Sequence, residues 1–270
     1  MRLTSRAYLA CCLALGWTSA SGAAGLYYEG TAYTVPGGLI AYREEHWTSE
    51  DADMQRRLVL YRCADGTPFA RKKVEGRIGS ATPDFEMLDG RDGFREGVRQ
   101  RNGRREVFFQ GKADAPERTA PLASIQNTVI DAGFDSYVRN QWEQLDNAGA
   151  LRIPFLVPER LGHVDLKLAG AGSSVENGEA VRKLRISLDA WYGFVAPTIV
   201  LTYTERDRRL RRFEGISNVR DTAGNNQRVR IEFPATSSRA RLDFNAAISL
   251  PLAKRCPTPT PASQSIDQIR

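Results

Sequence analysis

Histidine and cysteine are scarce in this 270-residue chain, two and four respectively, and neither occurs at metal-ligand spacing. A zinc site assembled from two separated cysteines and two distant histidines therefore has no sequence support, and neither a metal nor a cofactor is expected. The chain also lacks a G-x-S-x-G elbow, a glycine-rich phosphate loop and an H-E-x-x-H helix. Those absences remove the common signatures of α/β-hydrolases, nucleotide-binding enzymes and zinc proteases. Long apolar runs are missing too: the longest, AYLACCLALGW near the start, is too short to span a bilayer. Charge of one sign is not in excess either. With Arg2 and Arg6 set aside, 36 basic residues stand against 32 acidic ones, a net charge of +4. The arginines of ERDRRLRRFEG and RQRNGRREV are interleaved with acids and turn residues, unlike the dense basic stripe of a nucleic-acid-binding surface, so no nucleic-acid partner is expected.

What is present begins with a leader. Arg2 and Arg6, the short apolar run and the small residues of TSASGAA have the form of a secretory signal peptide over residues 1–23. Ser21 and Ala23 fit a small-x-small cleavage pattern, which starts the mature chain near AGLYYEG. The pair Cys11–Cys12 raises the alternative of a lipid-modified cysteine. Tyr8, however, stands where an aliphatic residue is wanted, and a better cleavage site lies further on. Export would leave Cys63 and Cys256 as an even pair in an oxidising compartment, where a disulfide between them is expected and two unpaired thiols are the alternative. The mature chain is expected to be periplasmic, with no transmembrane span.

Two-residue alternation dominates the rest. GLYYEGTAYTV and LIAYREEHWT flank Pro36-Gly37-Gly38, RRLVLYRC and PFARKKVEG flank Ala64-Asp65-Gly66, and GFREGVRQ and RREVFFQG flank Arg101-Asn102-Gly103. Each set reads as a hairpin. The segment KADAPERTAPL reads as a surface connection. Further on, Val229, Ile231 and Phe233 alternate with Arg228, Arg230 and Glu232, and Leu242, Phe244, Ala246 and Ile248 alternate with Arg241, Asp243 and Asn245. The pattern implies a sheet with one dry and one wet face. Only around IDAGFDSYVRNQWEQL does the period change: Phe134, Tyr137, Val138, Trp142 and Leu145 fall on one face of a helix near residues 131–147, which Gly149 stops. Ten or more short strands and one principal helix predict a mainly β fold, a strongly curved antiparallel meander in the form of a half-barrel or incomplete barrel, with the helix covering its apolar concave face. One domain is expected over residues 24–256, followed by a disordered Pro/Thr/Ser-rich tail over 257–270.

The segments YYEGTAY, YREEHW, YRCADGTPFARK, DAGFDSYVRNQW and EGISNVRDTAGNNQRVRIEFP together resemble uncharacterised exported proteins of Gram-negative bacteria, a family with no established activity. The layout, a leader followed by a long meander and a covering helix, also resembles the periplasmic lipoprotein-carrier fold. That likeness implies an apolar ligand, not a reaction.

Three places invite a functional reading. Glu44 and His46 in REEHW share a strand face and would suit acid–base chemistry, but an exposed strand end accounts for them as well; His163 is a weaker case of the same kind. Ser217, Asn218, Arg220, Asp221 and Asn225 gather in GISNVRDTAGNNQ, as in a functional loop or in a hairpin stabilised by its own Asn and Asp side chains. Trp191, Tyr192 and Phe194 in DAWYGFVAPTIVL, together with Trp142, are the candidate ligand-binding residues at the mouth of an apolar cavity; core packing is the alternative. The composite expectation is a periplasmic, non-enzymatic binding or envelope accessory protein, partnered by a lipid, another apolar molecule or an envelope protein. The alternatives are a structural protein with a fully packed core and a hydrolase using Glu44 and His46.

Overall fold

The computed structural model describes residues 26–189, 198–221, 223–234 and 243–257. The proposed leader, the Pro/Thr/Ser-rich tail beyond 257, and the trio Trp191, Tyr192 and Phe194 lie outside the described residues. Fourteen strands follow one another as β1 (Leu26–Thr34), β2 (Ile40–Asp51), β3 (Met54–Arg62), β4 (Pro68–Arg77), β5 (Asp84–Asp89), β6 (Arg95–Arg101), β7 (Arg104–Gln110), β8 (Arg118–Pro121), β9 (Ala150–Val157), β10 (Gly162–Glu176), β11 (Glu179–Leu188), β12 (Ile199–Thr204), β13 (Leu210–Arg220) and β14 (Asn226–Glu232). Between β8 and β9 lie helices α1 (Gly133–Asn140) and α2 (Trp142–Asn147), and after β14 comes a short helix α3 (Phe244–Ile248).

All fourteen strands form one antiparallel sheet in the order 8-7-6-5-4-3-2-1-14-13-12-11-10-9. Every neighbouring pair is a sequential hairpin except β1 with β14, where Ala32 faces Ile231 and Thr34 faces Val229. The chain thus runs outward from the middle to the β8 edge, crosses through the helices to the β9 edge, and returns. The turns follow the predicted chemistry: Gly66, Asn102 and Gly103 adopt the positive φ that a tight reversal needs.

The sheet is not closed into a barrel, because β8 and β9 remain its edges. The crossing segment protects one of them. Val129 forms a parallel bridge to Phe155, its N–H donating to the Pro154 carbonyl and its carbonyl accepting from Leu156. Across the gap, Arg118 of β8 donates to the Glu159 carbonyl just after β9. Unpaired edges are blunted in this way.

The inner face carries three joined apolar clusters. Tyr42, Val59, Tyr61, Phe69, Met87 and Ile231 centre one. Val74, Phe85, Val98, Val107 and Leu156 surround Ile130. Leu151, Ile153, Leu168, Leu184, Ile186, Leu201 and Tyr203 receive Val129, Val138, Trp142 and Leu145. The helical stripe read from the sequence is therefore the buried one, and Phe134 and Tyr137 pack against the same cluster. The outer face is charged. Arg62 pairs with Glu45 at 2.5 Å, Arg95 with Glu86 at 2.7 Å, Arg99 with Glu106 and Glu117, and Arg105 with Asp84 at 2.7 Å. A transmembrane β-barrel would instead present an apolar band outward. Among the described residues no helix is long and apolar enough to cross a membrane.

Four expectations need correction. The single helix over 131–147 is broken at Gln141, whose φ of −98° and ψ of 11° leave the helical region, so α1 and α2 are separate short helices. The stretch around Phe244 is not a strand: Asp243 accepts a bond from the Ala246 N–H and caps α3, so a strong N-cap overrides a pattern that also fits alternation. Part of the supposed surface connection, Arg118–Pro121, is strand β8. Strand β5, DFEMLD, is an additional element that the hairpin pattern did not reveal.

An apolar patch of the outer face lies beneath the C-terminal segment. Tyr27, Trp47, Leu58 and Leu60 pack there under Phe244, Ala247, Ile248, Leu250 and Leu252. Arg71 donates to the Ile248 carbonyl, Ala253 N–H donates to the Pro68 carbonyl at 2.8 Å, and Cys63 and Cys256 form the expected disulfide. This strap explains why four consecutive residues of β3, Leu58 to Tyr61, are all buried.

Candidate functional site

The sheet brings charged groups into its dry interior. On β2, Glu44 and His46 point inward and are 7% and 8% exposed, so the expected exposed strand end is wrong: it is a buried pair. Their register places Glu44 opposite Gly30 and Tyr61, and His46 opposite Tyr28 and Val59. His46 Nε2 lies 2.9 Å from Glu44 Oε2, and its ring stacks on Tyr28 at 4.4 Å with a 9° interplanar angle. The edge of Phe233 closes the other side at 5.8 Å. A glycine is required opposite Glu44, because a Cβ on Gly30 would meet Phe233 at 2.6 Å. Burial lowers the pKa of His46 against the raising effect of Glu44, and burial raises that of Tyr28.

A second pair crosses from the sheet to the cover. Lys72 of β4 holds both carboxylate oxygens of Asp131, at 2.7 and 3.0 Å, at the entry to α1. Asn218 approaches the same carboxylate at 3.4 Å. Glu96 of β6 also faces inward, and its carboxyl is pushed up to about 7, chiefly by burial and then by the neighbouring charge of Asp131. Tyr203 donates to Asp135 of α1 at 3.2 Å, and Arg182 of β11 pairs with Asp146 of α2 at 2.9 Å, so polar contacts join sheet and cover along both helices. At the far end of the cover Trp142 lies edge-on to Tyr203 at 5.9 Å, with the Arg182 guanidinium 4.3 Å above its ring.

A narrow recess opens between α1 and the β3–β4 end of the sheet, lined by Gln55, Arg57, Val74, Ser80, Ala132 and Ser136 among others. Arg57 sits opposite Thr48 and Val74, on the inner face. Its Nε is buried without a hydrogen-bond partner, as is His46 Nδ1.

Of the other polar residues, Ser217 and Asn218 reach the interior, while Asp65, Arg220 and Asp221 stabilise turns. Asp65 caps its own turn by accepting from the Thr67 N–H and hydroxyl. Arg220 donates to the carbonyls of Gly224 and Gly111, and Asp221 accepts from the N–H groups of Ala223 and Asn225, as a self-stabilised hairpin does. Ser217 is buried against the Tyr42 hydroxyl at 2.8 Å. His163, half-buried, lies 3.4 Å from the Thr128 hydroxyl. Glu44 and His46 therefore meet neither Asp65 nor Arg220. Trp142 is located by Arg182 and Tyr203. Trp191, Tyr192 and Phe194, the other candidate ligand-binding residues, lie outside the described residues.

Sequence reasoning missed Arg57, Lys72, Glu96 and Asp131. The first three do leave a signal, since each holds the same alternation phase as core residues: Arg57 with Val59 and Tyr61, Lys72 with Ala70 and Val74, Glu96 with Phe94 and Val98.

No family model matches the chain, and no curated protein does. Three solved structures align with most of it. A β-barrel-like protein of domain of unknown function DUF1849 from Brucella abortus is 11% identical with a TM-score of 0.45, covering 78% of this chain and 94% of that one. A DUF1329 family protein from Desulfovibrio piger is 10% identical with a TM-score of 0.31, covering 84% and 92%. A domain described as an outer membrane lipoprotein-sorting protein, from Vibrio parahaemolyticus, is 9% identical with a TM-score of 0.29, covering 83% and 88%.

Proposed function

We propose that this is an exported, non-catalytic binding protein of the periplasm that takes an amphipathic or apolar molecule against the concave inner face of its sheet, beneath α1 and α2. The observation that carries the reading is the seam between cover and sheet. Two short helices, broken at Gln141, lay Val138, Trp142 and Leu145 on the apolar inner face of β9–β12. A single rigid helix would have sealed that face more firmly. Displacing the cover exposes a trough that runs from Trp142 along Leu184, Ile186, Ile199 and Leu201. Polar ties at Lys72–Asp131 and Tyr203–Asp135 guide the cover back to one position. The Cys63–Cys256 bridge supports an oxidising compartment and hence export of one folded domain after loss of the leader.

A second reading is favoured by the fully buried bulk of Tyr42, Phe69, Met87 and Tyr203: a packed interior would make this a structural or interaction protein of the envelope. The experiment that separates the two replaces Trp142 with alanine and follows uptake of a neutral apolar fluorophore alongside the melting temperature. Uptake that changes by more than the loss of stability accounts for supports the cover as a lid. Unchanged uptake in a folded variant removes the lid, and absence of uptake in the parent protein favours the packed alternative.

A further inference from the structure

A buried cation without an anion is costly, because its desolvation is not offset by a partner. Among the described residues the buried arginine atoms without hydrogen bonds belong to Arg57, Arg211, Arg212 and Arg230. The last three each keep a carboxylate within ion-pair distance, of Glu179 for Arg211 and of Glu232 for Arg212 and Arg230. Arg57, a partly buried side chain whose Nε is shut off from water, shows no such partner among the described residues. It projects into the interior from β3, diagonal to His46, whose Nδ1 is likewise buried without a partner. Its guanidinium lines the recess that ends at Ala132 and Ser136, where α1 begins without a side-chain cap. The recess has a volume of about 10 Å³, close to one water, so anything larger than a single small group enters only when α1 shifts.

We propose that Arg57 receives the anionic group of the ligand, a carboxylate or phosphate, so that the molecule carried under α1 and α2 is an anionic amphiphile rather than a neutral apolar one. This inference rests on the binding function proposed above. The guanidinium supplies paired donors that match a carboxylate or phosphate, and the recess opens beside the apolar trough that the helices cover. The tail then follows the inner face toward Leu184 and Ile186 while the head stays at the sheet end, near Ser80 and Ser136.

The test titrates the full chain with dansyl-undecanoic acid and with the uncharged methyl ester of the same probe, in parent protein, Arg57→Gln and Arg57→Lys. The acid is expected to bind about tenfold tighter than the ester, the difference that one charge-assisted contact makes. Arg57→Gln brings the acid down to the level of the ester, and Arg57→Lys restores part of the gap. Equal binding of acid and ester to the parent protein, or equal loss of both in Arg57→Gln, overturns the inference and leaves the binding function standing. If neither probe binds the folded parent protein, the binding function falls, and melting in inorganic phosphate decides the Arg57 site by itself. A rise in the parent protein that is absent in Arg57→Gln upholds a free-anion site, and no rise overturns it. Phosphate that competes with the acid but not with the ester places both in the same recess.

Discussion

Replacing Cys63 and Cys256 together by serine should weaken the fold about as much as a large core truncation. The bridge closes a loop of 193 residues. In the chain-entropy treatment such a loop restricts the unfolded chain by about 5 kcal/mol at room temperature, and measured removals fall at about 2–5 kcal/mol. That is a large share of the roughly 5–15 kcal/mol by which domains are stable. The native packing itself changes little. Cys63 is 2% exposed in a well-packed cluster, where serine is nearly isosteric, and the strap keeps Phe244, Ile248, Leu250 and Leu252 on Tyr27, Trp47, Leu58 and Leu60. The effect should therefore appear as a lowered urea midpoint with the native near-ultraviolet circular dichroism retained. The assay is equilibrium urea unfolding of parent and double variant, with and without reductant. A loss below about 1 kcal/mol, or a parent protein whose midpoint ignores reductant, would refute the reasoning.

Three further outcomes follow from the interior. Glu96 loses its proton near 4.5 when unfolded and near 7 when folded, so the folded state holds the extra proton between those values and gains stability as pH falls from 7 toward 4.5. Glu96→Gln should stabilise the protein at pH 8 by about 2–3 kcal/mol and flatten that slope, read from melting against pH; unchanged stability at pH 8 would contradict it. Lys72→Met leaves Asp131 unpaired in a largely buried position and should cost about 2–4 kcal/mol, with Lys72→Met/Asp131→Asn recovering part of it in a double-mutant cycle; additive losses would show that the pair is not coupled. Gly133→Ala would drive a Cβ into the Ala81 carbonyl oxygen, so α1 must shift; a loss of about 1–3 kcal/mol with raised uptake of a neutral apolar probe is expected, and parent-like stability would mean that the loop yields freely.

The strand framework was legible because alternation and turn residues act locally: the Asn102-Gly103 turn, the inward phase of Val229, Ile231 and Phe233, and the stripe from Phe134 to Leu145 all stand where the sequence puts them. The pairing of β1 with β14 was not, since it joins residues about two hundred positions apart and no local signal encodes it. The break at Gln141 was also hidden, because the apolar stripe continues across it. The strap misled the reading in the opposite sense. Phe244 and Ile248 alternate as a strand would, yet also fit a capped helical turn on the apolar patch of β1–β3. The disulfide was readable from the even count of cysteines once export is expected. The buried charges were misjudged because an acid beside histidine on a strand is ordinarily solvated. The alternation phase shared with core residues hints at Arg57, Lys72 and Glu96, and the strand register shows that they turn inward together with Glu44 and His46.

Native mass spectrometry of the protein purified from a periplasmic extract, followed by solvent extraction of the same sample, tests the binding function most directly. A bound species of lipid-like mass is expected, one that solvent removes, that carries a negative charge when ionised alone, and that is depleted in Arg57→Gln. A spectrum showing only the processed chain, with nothing apolar in the extract, would contradict it.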